Sequence, residues 1–555
     1  MKKKSTFNFQ LSTFHFQLLL IGLLLATSCK SAPAPPPADF RLTGIRIGAQ
    51  GEAKNYADVS PQDTIELTFS EKVATGSIAE NIVLKQEDAT IPITVNHDHN
   101  PTLRIPLAGL QMYTRYELTV NTGLKSETGA AIFTGKVFTI TTGMDLSDKF
   151  ERISDEALLD LVQRQTFRYF WDFGHPVSGM ARERTTSGNT VTSGGTGFGI
   201  MAMLAAAERG FVSRADALSR IQKIVTFLDE KCTKYHGAYP HWLNGETGAT
   251  IAFGTNDNGG DLVETAFLIQ GLLAARQYFH DAAAAETALR NDITRLWENV
   301  EWDWYQKGGE NVLYWHWSAD KGWAMNMKIT GWNECLIAYV LAASSPSHAI
   351  SKAVYEEGWA RNGAFANGKS YYGHTLPLGP EYGGPLFFTH YSFLGLDPRR
   401  LADRYANYWE QNTRHSLINY RYCVENPKGY TGYSADCWGL TASDIPNGYT
   451  ASSPTNDRGV IAPTAALSSM PYTPEESMRA LRFFYYKLGD QLWSEYGFYD
   501  ALNLSAGWFD NQHIAIDQGP IIVMIENHRS GLLWNLFMAD PEIQAGLVKL
   551  GFSVQ

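Results

Sequence analysis

Basic residues are in deficit, and charges of either sign are few. Charged residues make up 19% of the 555 positions, and 46 Lys and Arg stand against 57 Asp and Glu, for a net charge of −11. A protein that binds nucleic acid through its phosphates needs clustered basic residues, so this balance argues against that class. The hydrophobic fraction of 44% excludes a disordered chain and provides material for a large core.

Cysteine is scarce as well, with five residues in the whole chain. No pair has the C-x-x-C spacing of a metal site, and we expect neither a metal nor another cofactor. Cys423 and Cys437 could form a disulfide within one loop-rich stretch if the chain is exported. We favour buried free thiols for these two and for Cys232 and Cys335.

Apolar runs long enough to span a bilayer are also missing, including near the N-terminus. Leu18–Leu25 reads LLLIGLLL, which follows three lysines and is too short to span a bilayer about 30 Å thick. The small residues before Cys29 resemble a bacterial lipobox. Residues 1–29 are therefore predicted to be a lipoprotein signal with lipidation at Cys29, the alternative being an ordinary signal peptide. Residues 30–38 read as a Pro-rich tether. We expect an exported, membrane-anchored lipoprotein facing the periplasm or the surface of a Gram-negative bacterium.

Tryptophan is absent from the first 150 residues, although the chain has 15. Residues 39–143 instead contain short stretches in which apolar and polar residues alternate, such as 65–69, 116–120 and 137–140. This period of two predicts half-buried strands, and about 100 residues of them suit an immunoglobulin-like sandwich. The sequence around these strands resembles the bacterial Ig-like domains that accompany carbohydrate-active enzymes, which favours a spacer role.

Residues 151–555 are predicted to be mainly α-helical. Phe198–Ala207, Leu262–Ala275 and Glu334–Ala343 are apolar nearly all round, whereas Ala215–Leu228 has one polar face. Further helices are expected from Ser154, over Arg479–Leu488 and over Ile521–Phe537. Buried helices that alternate with amphipathic ones indicate two concentric layers, as in an (α/α)6 toroid.

Acidic residues stand at the starts of three of the buried helices. Asp257 and Asp261 precede the second, Glu334 opens the third, and Asp517 precedes the last. Each could simply cap its helix or interact with its dipole, and Asp261 with Glu264 fits a capping box. If these helices are the parallel inner helices of a toroid, the carboxylates at their starts lie close together at one rim.

Many tryptophans fall in the Gly-rich loops near these acids. Rings that pack on sugar C–H faces, together with two carboxyl groups that cleave a glycosidic bond, make up a saccharide site. The candidates in these loops are Trp302, Trp304, Trp315, Trp317, Trp323, Trp332, Trp438 and Trp508.

Six long motifs in this region resemble the bacterial glucoamylase-like family. They are GTGFGIMAMLAAAERGF (195–211), DNGGDLVETAFLIQGLL (257–273), TGWNECLIAYVLAASSPSH (330–348), GGPLFFTHYSFLGLDPR (383–399), DCWGLTASD (436–444) and GWFDNQHIAIDQGPIIVMIENHRSGLLW (507–534). Within that family the chain is similar to glycoside hydrolase family 144, the β-1,2-glucanases. The resemblance implies an (α/α)6 toroid and an inverting hydrolase that is endo-acting or releases sophorose from the chain end.

The resemblance also implies roles for the acidic residues. Glu334 would be the general acid, and the general base would be Asp257 or, as second choice, Asp517, while Asp261 belongs to the same catalytic set. Inversion needs the acid and base about 6.5–9.5 Å apart, so that a water molecule fits between them. The residues expected to bind substrate are Trp317, Trp323, Trp332, Glu381, His390, Tyr391, Trp438, Trp508 and Arg529; His390 is equally well explained as a core residue.

Two other classes of function remain open at this stage. One is a carbohydrate enzyme of other specificity on the same fold, including a lyase that uses Tyr391 or His390 as base. The other is a non-catalytic glycan-binding lipoprotein, which needs aromatic platforms but no paired acid and base. The expected partner is a β-linked glucan or oligosaccharide, the membrane is contacted only through the lipid anchor, and the chain is expected to be a monomer.

Overall fold

The computed structural model describes residues 39–97, 100–143 and 147–554. The predicted signal peptide, the tether and Cys29 lie outside this range. Within it, no helix combines the length and the apolar character that crossing a membrane requires. The described chain forms a small β domain followed by a large helical domain.

The β domain is a sandwich of two sheets. Its strands are β1 Leu42–Ile47, β2 Asn55–Val59, β3 Thr64–Phe69, β4 Ile82–Gln86, β5 Ala89–Ile91, β6 Thr102–Pro106, β7 Arg115–Val120 and β8 Lys136–Thr142, with a short helix at Ile78–Asn81. One sheet has the order β1-β3-β6 and the other β2-β8-β7-β4-β5. In β3 and β7 every second residue is buried, as the alternation predicts, because the two inner faces share one core.

The sandwich is joined to the helical domain through a buried tyrosine. Tyr113, which precedes β7, is 4% exposed and belongs to the same hydrophobic cluster as Cys437 and Leu504 of the helical domain. Its backbone lies so close to Gly507 that a Cβ atom there would be 2.2 Å from the Tyr113 carbonyl oxygen. The two domains therefore share part of one core, in the manner of a packed interface rather than a loose tether.

Replacing Gly507 by alanine should weaken this contact. The control is Gly188→Ala, because both glycines have φ +61° but nothing lies within 4 Å of a Cβ at Gly188. Both changes place a Cβ atom on a left-handed backbone, which is unfavourable to a similar extent in each. Only Gly507→Ala adds a steric clash, which typically lowers the free energy of unfolding by about 1–3 kcal/mol. Denaturant unfolding should show that extra loss for Gly507→Ala; equal losses in the two variants would contradict the interface.

The helical domain alternates outer and inner elements along the chain. Its helices are α1 Asp155–Trp171, α2 Ser193–Glu208, α3 Arg214–Glu230, α4 Leu262–Tyr278, α5 Ala284–Glu298, α6 Leu336–Ser344, α7 Tyr408–Glu425, α8 Pro463–Leu467, α9 Pro474–Arg482, α10 Ala515–Arg529, α11 Leu532–Met538 and α12 Pro541–Leu550. The inner ring consists, in chain order, of α2, α4, α6, the short 3-10 turns of Leu386–Thr389 and Ser392–Leu394, α8 and α10. Helix α10 contacts α2, which closes the ring. This is the expected (α/α)6 toroid.

Short elements complete the helical domain. A three-stranded sheet consists of Thr190–Thr192, Trp242–Asn244 and Thr250–Ile251. Two-residue to four-residue strand pairs are Gly260–Asp261 with His316–Trp317, Ser370–Tyr371 with His374–Thr375, Leu401–Ala402 with Ser553–Val554, Ala442–Ile445 with Gly448–Ala451, Trp493–Ser494 with Gly497–Phe498, and Leu502–Asn503 with Trp508–Phe509. The remaining helical turns include π-helical segments at Val354–Trp359 and Phe483–Lys487 and a short helix at Gly489–Leu492.

Two glycines explain how the first inner helices pack so closely. A Cβ on Gly197 of α2 would lie 2.1 Å from the carbonyl oxygen of Phe267 in α4, and a Cβ on Gly271 would lie 2.2 Å from that of Gly197. The helices thus meet backbone to backbone, which only glycine permits. Nearly every residue of both helices is buried, because neighbours surround them on all sides.

Several helix boundaries differ from the sequence-based expectation. The third buried helix begins at Leu336, so Glu334 lies just before the helix and not in its first turn. The last inner helix begins at Ala515, which places Asp517 inside its first turn. The expected helix over Ile521–Phe537 is two helices, because Gly531 adopts φ +73° between α10 and α11. Over Arg479–Leu488 the chain changes from α-helix to a π-helical segment at Phe483.

Candidate active site

The residues before the inner helices surround a cavity of about 450 Å³. Its charged lining consists of Glu183, Arg184, His241, Glu264 and Glu334. Glu264 lies in the first turn of α4, and the other four come from the segments that lead into α2, α4 and α6, so the cavity lies at the rim where the inner helices begin. All residues that line this cavity belong to the helical domain, and none belongs to the sandwich.

Glu334 presents its carboxyl group in this cavity. The side chain is half-buried, and the segment that carries it is fixed by the Ser392 hydroxyl, which donates to the Glu334 carbonyl oxygen. Burial raises the pKa of Glu334 to about 7, against opposing hydrogen bonds from its own backbone N–H and Cys335, and the negative charges of Asp261 and Glu264 add to the increase. A carboxyl group that is half-protonated near neutral pH can give a proton to a substrate.

Asp261 is the N-cap of α4 and holds two side chains of the cavity wall. One carboxylate oxygen accepts from the backbone N–H groups of Val263 and Glu264, both at 2.9 Å. The other accepts from Trp315 Nε1 at 3.0 Å and contacts His241 Nδ1 at 3.2 Å. Because all these partners are satisfied within the protein, Asp261 acts as a cap and also orients the ring atoms around the cavity.

Glu264 lines the cavity instead of closing a capping box. Its Oε2 accepts from the backbone N–H of Gly194 at 2.8 Å and from the Thr192 hydroxyl at 3.1 Å, and its Oε1 lies 3.8 Å from His241 Nε2. Burial raises the pKa of Glu264. For His241, burial opposes the charged ring, but the carboxylates of Glu264 and Asp261 raise its pKa to about 9. His241 is therefore a cation at neutral pH between acidic neighbours.

Asp257 lies beside this group but not on the cavity wall. It is 7% exposed, and its Oδ1 is 3.8 Å from His316 Nε2. Burial and the charge of Asp261 raise the pKa of Asp257 to about 7. A nitrogen of His241 and carboxylate oxygens of Asp257 and Asp261 all lie within 4.8 Å of one another.

Asp517 lies beside another part of the cavity wall. The Tyr391 hydroxyl, which belongs to the lining, donates to its Oδ1 at 3.4 Å. Its Oδ2 is buried and accepts no hydrogen bond from an N–H or hydroxyl group, and the Asp500 carboxyl group lies beside Asp517. Burial raises the pKa of Asp517 to about 7, and Glu334 and Asp517 both act electrostatically on the Tyr391 hydroxyl. Tyr391 thus lies between these two predicted catalytic acids.

Arg184 is a second cationic side chain of the cavity wall. Its Nη1 donates to Asp444 at 2.9 Å, and its Nε donates to Glu183 at 3.0 Å. The guanidinium group is 27% exposed, so the interaction is only partly screened by solvent. Arg184 fixes the loop before α2 to the hairpin Ala442–Ala451.

Aromatic rings form the mouth of the cavity. Phe253, which is 50% exposed, stacks on the His241 ring at 4.2 Å between centroids with an interplanar angle of 19°. Trp242 meets the same Phe253 edge-on at 4.8 Å, and Trp315 and Phe387 continue the lining. Flat apolar faces beside carboxylates suit a sugar ring, which has apolar C–H faces and polar edges.

Most residues predicted to bind substrate lie elsewhere. Trp332 packs against Phe393 and Tyr408. Trp317 and Trp323 form an aromatic group with the half-exposed Trp304.

The others have structural partners of their own. Buried Trp438 donates to the Glu476 carbonyl oxygen, and Trp508 pairs with the strand Leu502–Asn503 in a hairpin. Exposed Glu381 forms an ion pair with Lys369, and Arg529 forms one with Glu156. Buried His390 forms a hydrogen bond with the Ser469 hydroxyl. Of the predicted binding residues, Tyr391 is the one that lines the cavity. Cys232, Cys335, Cys423 and Cys437 are all buried free thiols, so no bridge joins the last two.

Sequence reasoning missed most of the side chains that line the cavity, among them Glu183, Arg184, His241, Trp242 and Phe253. These five lie in loops between helices, and their spacing gives no periodic signal. Glu264 was visible in the sequence but was explained there by a capping role. The one available signal was local: His241 and Trp242 are adjacent aromatic residues in a Gly-rich and Pro-rich loop.

Comparison with known proteins supports both domains. A model of the family described as "Putative glucoamylase" matches residues 326–541, and one of the "Bacterial Ig-like domain" matches residues 52–142. A curated protein of Parabacteroides distasonis named exo β-1,2-glucooligosaccharide sophorohydrolase (non-reducing end) is 49% identical over 420 residues, which are 72% of this chain and 58% of that protein. The chain therefore spans little more than half of that relative's length.

Two crystal structures are similar over nearly their whole length. One, from Bacteroides uniformis and described as a "putative glucoamylase", is 57% identical with a TM-score of 0.72 and covers 73% of this chain and 99% of its own. The other is an endo-β-1,2-glucanase from Chitinophaga pinensis in complex with sophorotriose and glucose, 55% identical with a TM-score of 0.71, covering 72% and 99%. The chain therefore belongs to the bacterial glucoamylase-like family, in the group of glycoside hydrolase family 144.

Proposed function

We propose that this protein hydrolyses β-1,2-glucan to sophorose or short sophoro-oligosaccharides with inversion at the anomeric carbon. The observation that carries the proposal is the half-buried Glu334 carboxyl group in the cavity, whose pKa burial raises to about 7. The relatives named for action on β-1,2-linked glucose supply the substrate class.

Glu334 is the general acid in this proposal. Its carboxyl group donates a proton to the glycosidic oxygen as the bond to the anomeric carbon breaks. Burial in the cavity wall disfavours the charged form and keeps about half of the Glu334 carboxyl groups protonated at neutral pH.

Asp517 is the general base in this proposal, with Asp257 as the alternative. The Asp517 Oδ2 is buried and accepts no hydrogen bond from an N–H or hydroxyl group of the protein, and the Asp500 carboxyl group lies beside Asp517, so a water molecule or a substrate hydroxyl is the donor that Oδ2 lacks. Asp257 is instead adjacent to the cationic His241, which offsets part of the rise in its pKa that burial and the charge of Asp261 cause. The geometry thus favours Asp517 over Asp257, the reverse of the order that the sequence suggests.

The remaining groups orient the sugar. Glu264 and Arg184 face the cavity with atoms that can bond to hydroxyl groups, while Phe253 and Trp242 offer apolar faces. Asp261 acts indirectly, because its oxygens hold Trp315 and His241 in place. A non-catalytic glycan-binding protein would need the rings but not a carboxyl group whose pKa burial raises to about 7.

The test is to incubate the purified chain with linear β-1,2-glucan and to follow products by chromatography and polarimetry. We expect sophorose or short sophoro-oligosaccharides whose reducing ends appear in the α configuration. Product length over time distinguishes action at the chain end from internal cleavage. Linear β-1,3-glucan is the control and should remain intact; its cleavage in place of the β-1,2-linked chain would contradict the proposed specificity.

We further propose that the protein is exported and anchored by a lipid on Cys29, facing the periplasm or the cell surface, and that it is a monomer. The apolar run, the small residues before Cys29 and the Pro-rich tether of the sequence support this proposal. The sandwich then acts as a spacer between the anchor and the toroid. A Cys29→Ser chain that stayed in the membrane fraction would contradict the lipid anchor.

A further inference from the structure

Three buried aspartates close to the cavity have no part in the proposed reaction. Asp444 lies on the hairpin Ala442–Ala451, and Asp500 and Asp510 lie in the segment before α10. Their exposed fractions are 8%, 2% and 8%, and one carboxylate oxygen of each lies within 4.8 Å of the others. Buried like charges at this separation repel one another unless something lies between them.

The hydrogen bonds of this group leave some oxygens without a partner. Asp500 Oδ2 accepts from the Asp444 backbone N–H at 2.7 Å, and both Asp444 oxygens receive the Arg184 guanidinium group. Asp500 Oδ1 and Asp510 Oδ2 are buried and accept no hydrogen bond from an N–H or hydroxyl group; Asp500 and Asp510 instead face the carboxyl groups of Asp517 and Asp444, with which they can bond only by sharing a proton. Native proteins seldom leave a buried acceptor unpaired, so these two oxygens point to a missing ligand.

The negative charges of these carboxyl groups also exceed the positive charge available nearby. Arg184 is shared between Asp444 and Glu183, while Asp500 and Asp510 lie beside them and Asp517 lies beside Asp500. One guanidinium group therefore faces several carboxylates in the protein interior.

The neighbouring cluster of His241, Asp257 and Asp261 differs from the three aspartates because it contains a positive charge of its own. His241 supplies a positive charge within that cluster, because its pKa is raised to about 9 against the effect of burial. Both oxygens of Asp261 are hydrogen-bonded to protein groups. That cluster is complete without an added cation, whereas the three aspartates are not.

We propose that Asp444, Asp500 and Asp510 bind one divalent cation, Ca²⁺ in preference to Mg²⁺. The donors are carboxylate oxygens alone, which hard cations prefer. The three oxygens lie within 4.8 Å of one another, close enough for small side-chain shifts to bring them to one shared Ca²⁺ ion with bonds of about 2.3–2.6 Å. Mg²⁺ needs bonds of about 2.0–2.1 Å in strict octahedral geometry and loses its water ligands reluctantly, so it suits a site of three aspartates less well.

Such a cation would connect three parts of the site. The hairpin Ala442–Ala451 carries Tyr449 and Ala442 of the cavity wall, and the segment with Asp500 and Asp510 leads into the helix that carries Asp517. The ion therefore has a structural role beside the cavity. It is independent of the proposed glucanase reaction, since its binding is measured without substrate.

The test uses the purified chain after treatment with EDTA and dialysis. Calorimetric titration with CaCl2 should show binding of a single equivalent, and CaCl2 should raise the midpoint of thermal unfolding by several degrees, because a ligand of the native state stabilises it. MgCl2 at the same concentration should have a smaller effect. An untreated sample should contain calcium by mass spectrometry.

Isosteric variants locate the site. Asp510→Asn and Asp500→Asn should each lose the response to CaCl2, whereas Asp257→Asn in the other cluster should keep it. The proposal is overturned if the wild-type chain shows no calcium response after chelation, since shared protons or water would then satisfy the three aspartates. It is also overturned if Asp257→Asn abolishes the response and Asp510→Asn preserves it.

Discussion

Replacing Glu334 by glutamine is expected to lower kcat on β-1,2-glucan by about 10²–10⁴-fold, the usual contribution of a general acid. The amide keeps the shape and most contacts of the carboxyl group but has no acidic proton to give. The fold should be unaffected, because Glu334 precedes α6 and does not contribute to its helical turns. Activity and thermal unfolding measured on the same preparation separate these two effects.

The pH profile gives a second readout for Glu334. With its pKa raised to about 7 by burial, the acid is protonated below that pH and loses its proton above it. The kcat/KM of the wild-type chain should therefore fall on the alkaline side of pH 7, by about tenfold per pH unit. In Glu334→Gln that descending limb should disappear, since no titrating acid remains at the position.

A substrate with a good leaving group tests the role directly. A dinitrophenyl β-sophoroside needs no proton on its departing oxygen, so Glu334→Gln should cleave it nearly as fast as the wild-type chain does. Equal losses on this substrate and on β-1,2-glucan would contradict the acid assignment. The control is Glu381→Gln, which alters an exposed glutamate paired with Lys369 and should leave both rates unchanged.

Replacing Asp517 by asparagine is expected to cause a loss of similar size, about 10²–10⁴-fold in kcat, because the nucleophilic water is then no longer deprotonated. This loss should persist with the dinitrophenyl substrate, since a good leaving group does not replace a base. Steady-state kinetics on the two substrates thus distinguish Asp517→Asn from Glu334→Gln. KM should change little, because the Tyr391 hydroxyl can still bond to the amide oxygen.

Asp257→Asn is the matched comparison for the base. Both aspartates are buried with a pKa of about 7, and asparagine is isosteric with either. Azide ions should restore turnover to Asp517→Asn and give an α-glycosyl azide, because azide attacks the anomeric carbon without needing a base. If azide restored turnover to Asp257→Asn instead, the general base would be Asp257, the residue that the sequence places first.

The fold was largely predictable because helix burial is encoded locally. Helices α2 and α4 are apolar all round and α3 has one polar face, and this contrast alone separates inner from outer layers. Helix ends were less predictable. Glu334 falls outside its helix and Asp517 falls inside its own, because loop packing rather than local propensity sets those boundaries.

The candidate site likewise has a part that the sequence predicts and a part that depends on tertiary packing. Glu334 lines the cavity at the rim of the inner ring, and Asp261 and Asp517 lie beside it, since acids at the starts of parallel helices share one rim. Trp438 and Trp332, which also lie in loops, are instead buried in the core. Composition cannot tell a sugar-binding ring from a core ring, because both are large and apolar and differ only in what packs on each face.

The sequence by itself determined an aromatic-poor β domain followed by a Trp-rich helical domain, and the position of acids at helix starts. Only the tertiary structure decided which groups meet. His241 lies between Asp261 and Glu264, Arg184 reaches Asp444 across 260 positions of the chain, and Asp500 and Asp510 join that same aspartate. Electrostatic interactions depend on distance in space and on burial, and neither can be read from separation along the chain.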